Sequence, residues 1–210
     1  MKIKKLTFNS FQENSYIISS NNECIIIDPG CCDDYERKIL SNYIKENNLV
    51  PKYLINTHCH LDHIFGNKFV SEKYKLKAHM HINDFPLLEN AEKIAEYYQV
   101  ELDNPSKDVK FIGEKDKITL GKTEWEVIFT PGHAPGHICL LNKKDKVLIS
   151  GDVLFYMSIG RTDLPLCSHE DLIRSIKEKL FKLNDDIKVF PGHGQETTIG
   201  FEKENNPFIN

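Results

Sequence analysis

The sequence predicts an α/β fold in which two sheets pack face to face with helices outside. Short β-branched apolar runs cluster in both halves of the 210 residues. Stretches with a single apolar face at helical spacing separate or follow them. Gly, Pro, Asn or Asp closes most of the strand-like runs, so the chain turns where each one ends.

In order along the chain, the runs 2–8, 15–19 and 23–27 read as strands, with Asn21 and Asn22 as the turn between the last two. The third stops at Asp28-Pro29-Gly30, which leaves an acid at its carboxyl end. A helix is predicted over 33–48, where Ile39, Leu40, Tyr43 and Ile44 share a face. A buried strand over 53–56 follows, then a helix over 63–74 that turns Ile64, Phe69 and Val70 inward. Helical character also covers 83–98, and loops at Asn104-Pro105 and 113–116 flank a short strand at 109–112.

The second half repeats the theme with strands at 118–120, 125–130, 138–141 and 147–150. Ser168 and Asp171 have the spacing of a capping box, and Leu172, Ile173, Ile176, Leu180 and Leu183 stripe the helix after it. A last strand at 187–190 runs into Pro191-Gly192-His193-Gly194. With no repeat, linker or low-complexity segment, residues 1–210 are expected to form a single domain.

Composition narrows the function. A net charge of -4 with interspersed lysines and acids argues against a dedicated nucleic-acid or acidic-membrane binder. No apolar stretch reaches the length of a membrane span. The basic start Met1-Lys2-Ile3-Lys4 reads as a first strand rather than a signal peptide. The six cysteines form no CxxC pair, and Cys24 and Cys139 sit inside apolar runs as small hydrophobes. A reducing cytoplasm is the expected compartment.

Of the nine histidines, five fall in three loops that each follow a predicted strand. The densest segment is His58-Cys59-His60-Leu61-Asp62-His63. His58 and His60, two apart on an extended loop, can point the same way, and a turn into a helix can swing Asp62 and His63 toward a neighbouring ion. His133, Asp152 and His193 follow later strands, and the two oxygens of Asp152 can bridge two ions. Imidazole with carboxylate suits two divalent cations: zinc, with iron or manganese as the other choices. An Asp and three His buried together without a cation would be costly to desolvate. By contrast, His79, His81 and His169 read as ordinary surface or core residues, and His137 as a residue that orients a ligand or holds its loop. Cys59, between two ligands, is expected to face away into packing.

Thr57-His58-Cys59-His60-Leu61-Asp62-His63, followed by Gly132-His133, Gly151-Asp152 and Pro191-Gly192-His193, resembles the metallo-β-lactamase-fold superfamily. The pattern runs along the whole chain, including the early Asp28-Pro29-Gly30 turn. The resemblance implies a four-layer αβ/βα sandwich. It also implies one metal on His58, His60 and His133, a second on Asp62, His63 and His193, and Asp152 between them.

Within the superfamily the chain looks most like the short glyoxalase II-like (hydroxyacylglutathione hydrolase-like) branch. The carrying segments are Gly160-Arg161-Thr162-Asp163-Leu164-Pro165 and the stretch from Pro191 to Thr198. That likeness implies hydrolysis of acyl-glutathione thioesters such as S-lactoylglutathione by a metal-bound hydroxide, with Asp62 orienting or deprotonating the nucleophile. The larger glyoxalase II enzymes carry a C-terminal helical domain that binds glutathione. No such domain is expected here, and Arg161 stands as the candidate for a substrate carboxylate or as a brace for its loop. Phe155, Tyr156 and Met157 are candidates for the pocket mouth or for core packing. An iron-dependent persulfide dioxygenase of the same fold is the alternative, with His58, His133 and Asp152 as its iron ligands. A non-catalytic metal-binding module is the third reading. The expected partner is a small-molecule thioester, with no nucleic acid and no membrane; the sequence leaves the oligomeric state open.

Overall fold

The computed structural model describes residues 1–209. Its first sheet runs β1 (Lys2–Phe8), β2 (Glu13–Ser20), β3 (Glu23–Ile27), β4 (Val50–Ile55), β5 (Ala78–Met80) and β6 (Lys110–Phe111) in sequence order. The first three pair antiparallel as hairpins, while β3 to β6 are parallel. The second sheet comprises β7 (Lys117–Leu120), β8 (Thr123–Phe129), β9 (Ile138–Asn142), β10 (Val147–Gly151), β13 (Lys188–Pro191) and β14 (Thr197–Thr198). Between β10 and β13 a small hairpin, β11 (Leu154–Phe155) and β12 (Ser158–Ile159), stands apart.

Alternation within the strands explains why both faces of each sheet are covered. Ile18, Ile25 and Ile27 point between the sheets and meet Trp125, Val127, Leu140 and Ile149 from the other side. Their neighbours Ile17, Cys24 and Ile26 point outward against Leu40 and Ile44 of α1 (Asp34–Glu46) and Val70 beyond it. On the far face Leu148 and Val189 pack under Leu172 and Ile176 of a later helix. The result is helix, sheet, sheet, helix: the expected αβ/βα sandwich. Cys24 and Cys139 are fully buried among these apolar groups, as their surroundings in the sequence suggest.

Several helices depart from the predicted bounds for local reasons. The helix expected over 63–74 is two, α2 (Leu61–Ile64) and α3 (Asn67–Tyr74), separated at Gly66. Gly66 N donates to the Pro29 carbonyl, and a Cβ there would lie 2.7 Å from that oxygen, so chain contact interrupts the helix. The stretch 83–98 likewise divides into α4 (Phe85–Glu89) and α5 (Ala91–Tyr98), with Asn90 Nδ2 donating back to the Pro86 carbonyl between them. The capping residue Ser168 accepts from Asp171 N and starts α6 (His169–Glu178). Leu180 and Leu183, expected on the same helix, belong instead to a 3-10 turn and the residue after it. A closing helix, α7 (Ile199–Asn205), was not predicted. No helix among the described residues is long and apolar enough to cross a membrane.

Candidate metal centre

Six loops converge at one rim of the sandwich, most from the carboxyl ends of parallel strands, where a loop can approach its neighbours without breaking a ladder. After β3 comes Asp28; after β4, His58 to His63; after β5, Asp84; after β8, His133; after β10, Asp152; after β13, His193. The start of β2 ties the two sheets together here. Asn14 N donates to the Gly192 carbonyl at 2.7 Å, and Tyr16 Oη donates to the Pro191 carbonyl at 2.7 Å.

Three compact sets of ligand atoms result, one of which, Asp28 with His58 and His63, shares a histidine with each of the other two. His58, His60 and His133 present nitrogens within 4.8 Å of one another, as do the ligand atoms of Asp62, His63 and His193. Asp152 touches both of these last sets. Its Oδ2 lies 3.5 Å from His133 Nε2 and 3.4 Å from His193 Nε2, and its Oδ1 lies 3.5 Å from His63 Nε2. The structure thus brings together all seven residues expected as ligands.

The tautomers are fixed from behind. His133 Nδ1 stands 2.8 Å from the Arg161 carbonyl and His193 Nδ1 3.1 Å from the Phe11 carbonyl. A carbonyl only accepts, so both Nδ1 atoms carry a proton and both Nε2 atoms face the site. His63 Nδ1 donates to Asp28 Oδ2 at 3.2 Å. His58 Nδ1 donates to Thr57 Oγ1 at 3.1 Å, because that hydroxyl already donates to Asp28 Oδ2. Four imidazoles therefore aim their Nε2 atoms at the same space. His60 uses the other nitrogen: its Nδ1 lies 2.8 Å from the lone pair of His133 Nε2. Two such nitrogens share that distance only with a proton or a cation between them.

The orphaned atoms point the same way. His58 Nε2, His63 Nε2 and Asp152 Oδ1 are buried without a hydrogen-bond partner. The 3.5 Å approach of His63 Nε2 to Asp152 Oδ1 is a charge contact without the alignment of a hydrogen bond. Buried unsatisfied polar atoms are rare and costly in native proteins, and three around one point fit a cation-binding site. Charge favours it too. Burial opposes a charge on His193, yet Asp152 and Asp62 raise its pKa to about 9. Burial likewise works against His63, and Asp62 and Asp152 raise it well above its ordinary value. The field that holds protons on these rings would hold a divalent cation in their place. In the other set, burial and the neighbouring His133 lower His60 to about 3, so its ring stays neutral.

Residues around the ligand cluster support it; Asp28 stood out in the sequence only as the acid that ends the third strand, and Asp84 was not singled out. Asp28, with a positive φ of 47°, accepts from Thr57 N at 2.7 Å as well as from the Thr57 hydroxyl and His63. Asp84 is fully buried; its Oδ2 accepts from Cys59 N and its Oδ1 from Gly136 N, so one carboxylate joins the loops that carry His58, His60 and His133. Burial pushes the Asp84 carboxyl up to about 7, against those two donors. His137 accepts from Asp152 N at 3.0 Å and thereby holds the shared carboxylate, one of the two roles expected for it. Cys59 faces away from the site, with Sγ 3.9 Å from Met80 Sδ. Arg161 lies on the rim, with Nε and Nη2 donating to the two Asp163 oxygens at 2.7 and 2.8 Å. Phe155 lines the cavity beside it, whereas Tyr156 and Met157 are exposed.

A four-layer sandwich with two His/Asp clusters sharing a carboxylate at its rim is the architecture of a metallohydrolase-type protein. The chain belongs to the Metallo-beta-lactamase superfamily, whose family model matches residues 9–193. It is 38% identical over 100% of its length to "Hydroxyacylglutathione hydrolase GloC" of Haemophilus influenzae, covering 99% of that protein. It is 36% identical to "Probable metallo-hydrolase YqgX" of Bacillus subtilis, covering 100% of this chain and 98% of the relative. Among solved structures, TTHA1623 in a di-iron-bound form superposes with a TM-score of 0.88 at 32% identity, over 98% of this chain and 99% of that one.

Proposed function

We propose that this chain is a metal-dependent hydrolase of acyl-glutathione-type thioesters, such as S-lactoylglutathione. The observation that carries the reading is the pair of compact ligand sets meeting at Asp152 and opening onto a cavity. Divalent cations held there would supply Lewis acidity, lowering the pKa of a water toward ~7 and stabilising charge on a carbonyl oxygen.

The chain's own residues do the rest. His58, His60 and His133 would hold one ion, Asp62, His63 and His193 the other, with Asp152 between. Zinc suits this set, and iron or manganese could replace it. Asp62 lines the cavity floor with Oδ2 3.2 Å from His193 Nε2. Burial works against its charge, but His63 and His193 outweigh it and lower the pKa, so Asp62 is anionic at neutral pH and placed to orient or deprotonate the nucleophile. A departing thiol has a pKa of about 8.5 and leaves as thiolate without a protein acid.

Kinship to a protein named as a hydroxyacylglutathione hydrolase supports the thioester class. The second ligand set, fully assembled, favours two-cation hydrolysis over a single-iron persulfide oxygenase. A small molecule is the partner this cavity suits, and a net charge of -4 disfavours nucleic acid. The deciding experiment pairs metal analysis with turnover. Two divalent ions per chain and chelator-reversible hydrolysis of S-lactoylglutathione are expected. One iron per chain, with oxygen uptake on glutathione persulfide and no thioester cleavage, would overturn the proposal.

A further inference from the structure

The cavity over the ligand cluster has a volume of about 400 Å³, and its polarity is divided. The floor is polar, formed by ligand residues such as His60, Asp62 and Asp152. The walls are apolar and come from five separate segments: Phe11, Leu61, Ile94 with Tyr98, Phe155 and Leu164. Ile94 and Tyr98 are four apart on α5, so both present to one face of that helix. Among the residues that line the cavity, the single Lys or Arg is Arg161, whose guanidinium is exposed and already paired in two-point fashion with Asp163.

A glutathione carrier has two carboxylates and an ammonium on its thiol half. These walls offer no free cation for the carboxylates, and burying them against Ile, Leu and Phe without partners is unfavourable. An uncharged acyl group, by contrast, gains from every methylene it takes out of water.

Building on the thioester reading above, we infer that the cavity is an acyl pocket: it selects bulky, uncharged apolar acyl groups and leaves the thiol carrier in solvent. Specificity then resides in the acyl half, and glutathione is one acceptable carrier among several.

The test uses the metal-loaded enzyme and acetyl, lactoyl, hexanoyl and phenylacetyl thioesters of glutathione. A phenylacetyl thioester of N-acetylcysteamine supplies an uncharged carrier. kcat/KM should rise about fourfold per methylene until the walls are filled, and the two carriers of the phenylacetyl group should agree within about threefold. Tyr98→Ala should narrow the hexanoyl-to-acetyl ratio, and Tyr98→Phe should keep it. A preference for lactoyl over hexanoyl, or a loss of more than about tenfold on the uncharged carrier, would overturn the inference while leaving thioester hydrolysis intact. Should no thioester turn over, the function proposal fails by itself, and binding decides the pocket. Hexanoate and phenylacetate binding at least about tenfold tighter than acetate, by calorimetry, would uphold it; equal affinities would refute it.

Discussion

Adding one methyl group at Gly192 should disable the centre without unfolding the protein. Gly192 precedes His193 and passes so close to the cluster that a Cβ would lie 2.1 Å from Asp152 Oδ1 and 2.8 Å from His63 Cε1. Ordinary van der Waals contact starts at 3.4 Å, so the carboxylate would have to retreat by roughly 1.3 Å. Asp152 has little room to do so, because His137 holds its backbone N–H and three imidazoles surround its oxygens. Overpacking of this kind costs about 1–3 kcal/mol of stability, tolerable for a domain with a core this extensive. Displacing a catalytic group by about 1 Å costs on the order of 100-fold in rate. Gly192→Ala should therefore keep the circular dichroism of the parent and lower kcat/KM on thioesters by about 100-fold, with metal lost on dialysis. A variant that holds two ions and works within about threefold of the parent would refute the geometric basis of the site.

Asp84→Asn preserves shape but replaces one of two acceptors with a donor facing a backbone N–H, so chelator competition should show metal affinity reduced by roughly 10–100-fold; unchanged affinity would reduce Asp84 to a packing residue. The metal-free chain should respond to pH through His193. Its pKa of about 9 exceeds the ordinary 6.5, so the stability it contributes is full below 6.5 and is lost as pH rises through 9. Thermal melts of chelated protein should therefore weaken across that window, metal uptake there should release protons, and a flat profile with no proton release would contradict the charge assignment. Arg161→Ala should change KM for acyl-glutathione by less than about threefold, since Asp163 already occupies the guanidinium; a tenfold rise in KM with kcat unchanged would instead make Arg161 the carboxylate contact.

The candidate cluster was legible because four ligand-type residues within six positions, from His58 to His63, have no competing explanation in core packing. His133, Asp152 and His193 were legible because each follows an apolar run and sits in a Gly-containing loop. Asp84 gave no such sign: an acid in Asn83-Asp84-Phe85-Pro86 looks like any helix start. Only the folded chain brings it under Cys59 and Gly136. Glu13 is similar. It falls between the strands expected at 2–8 and 15–19, yet it is fully buried with Oε1 3.9 Å from His63 Nδ1. The strands missed were short and defined by tertiary pairing. β11, β12 and β14 have two residues each, and β5 has three, too few for alternation to register. The helix break at Gly66 depends on contact with Pro29, which no local window contains.

Metal stoichiometry across ligand variants tests the central claim most directly. Elemental analysis after dialysis should find two divalent ions per chain in the parent and one in His193→Ala, whose loss opens the Asp62 and His63 set alone. Asp152→Ala should hold neither ion firmly and should lose thioester hydrolysis in the same step. One ion in the parent, unaffected by His193→Ala, or full activity in Asp152→Ala at unchanged metal content, would contradict a two-cation centre built on a shared carboxylate.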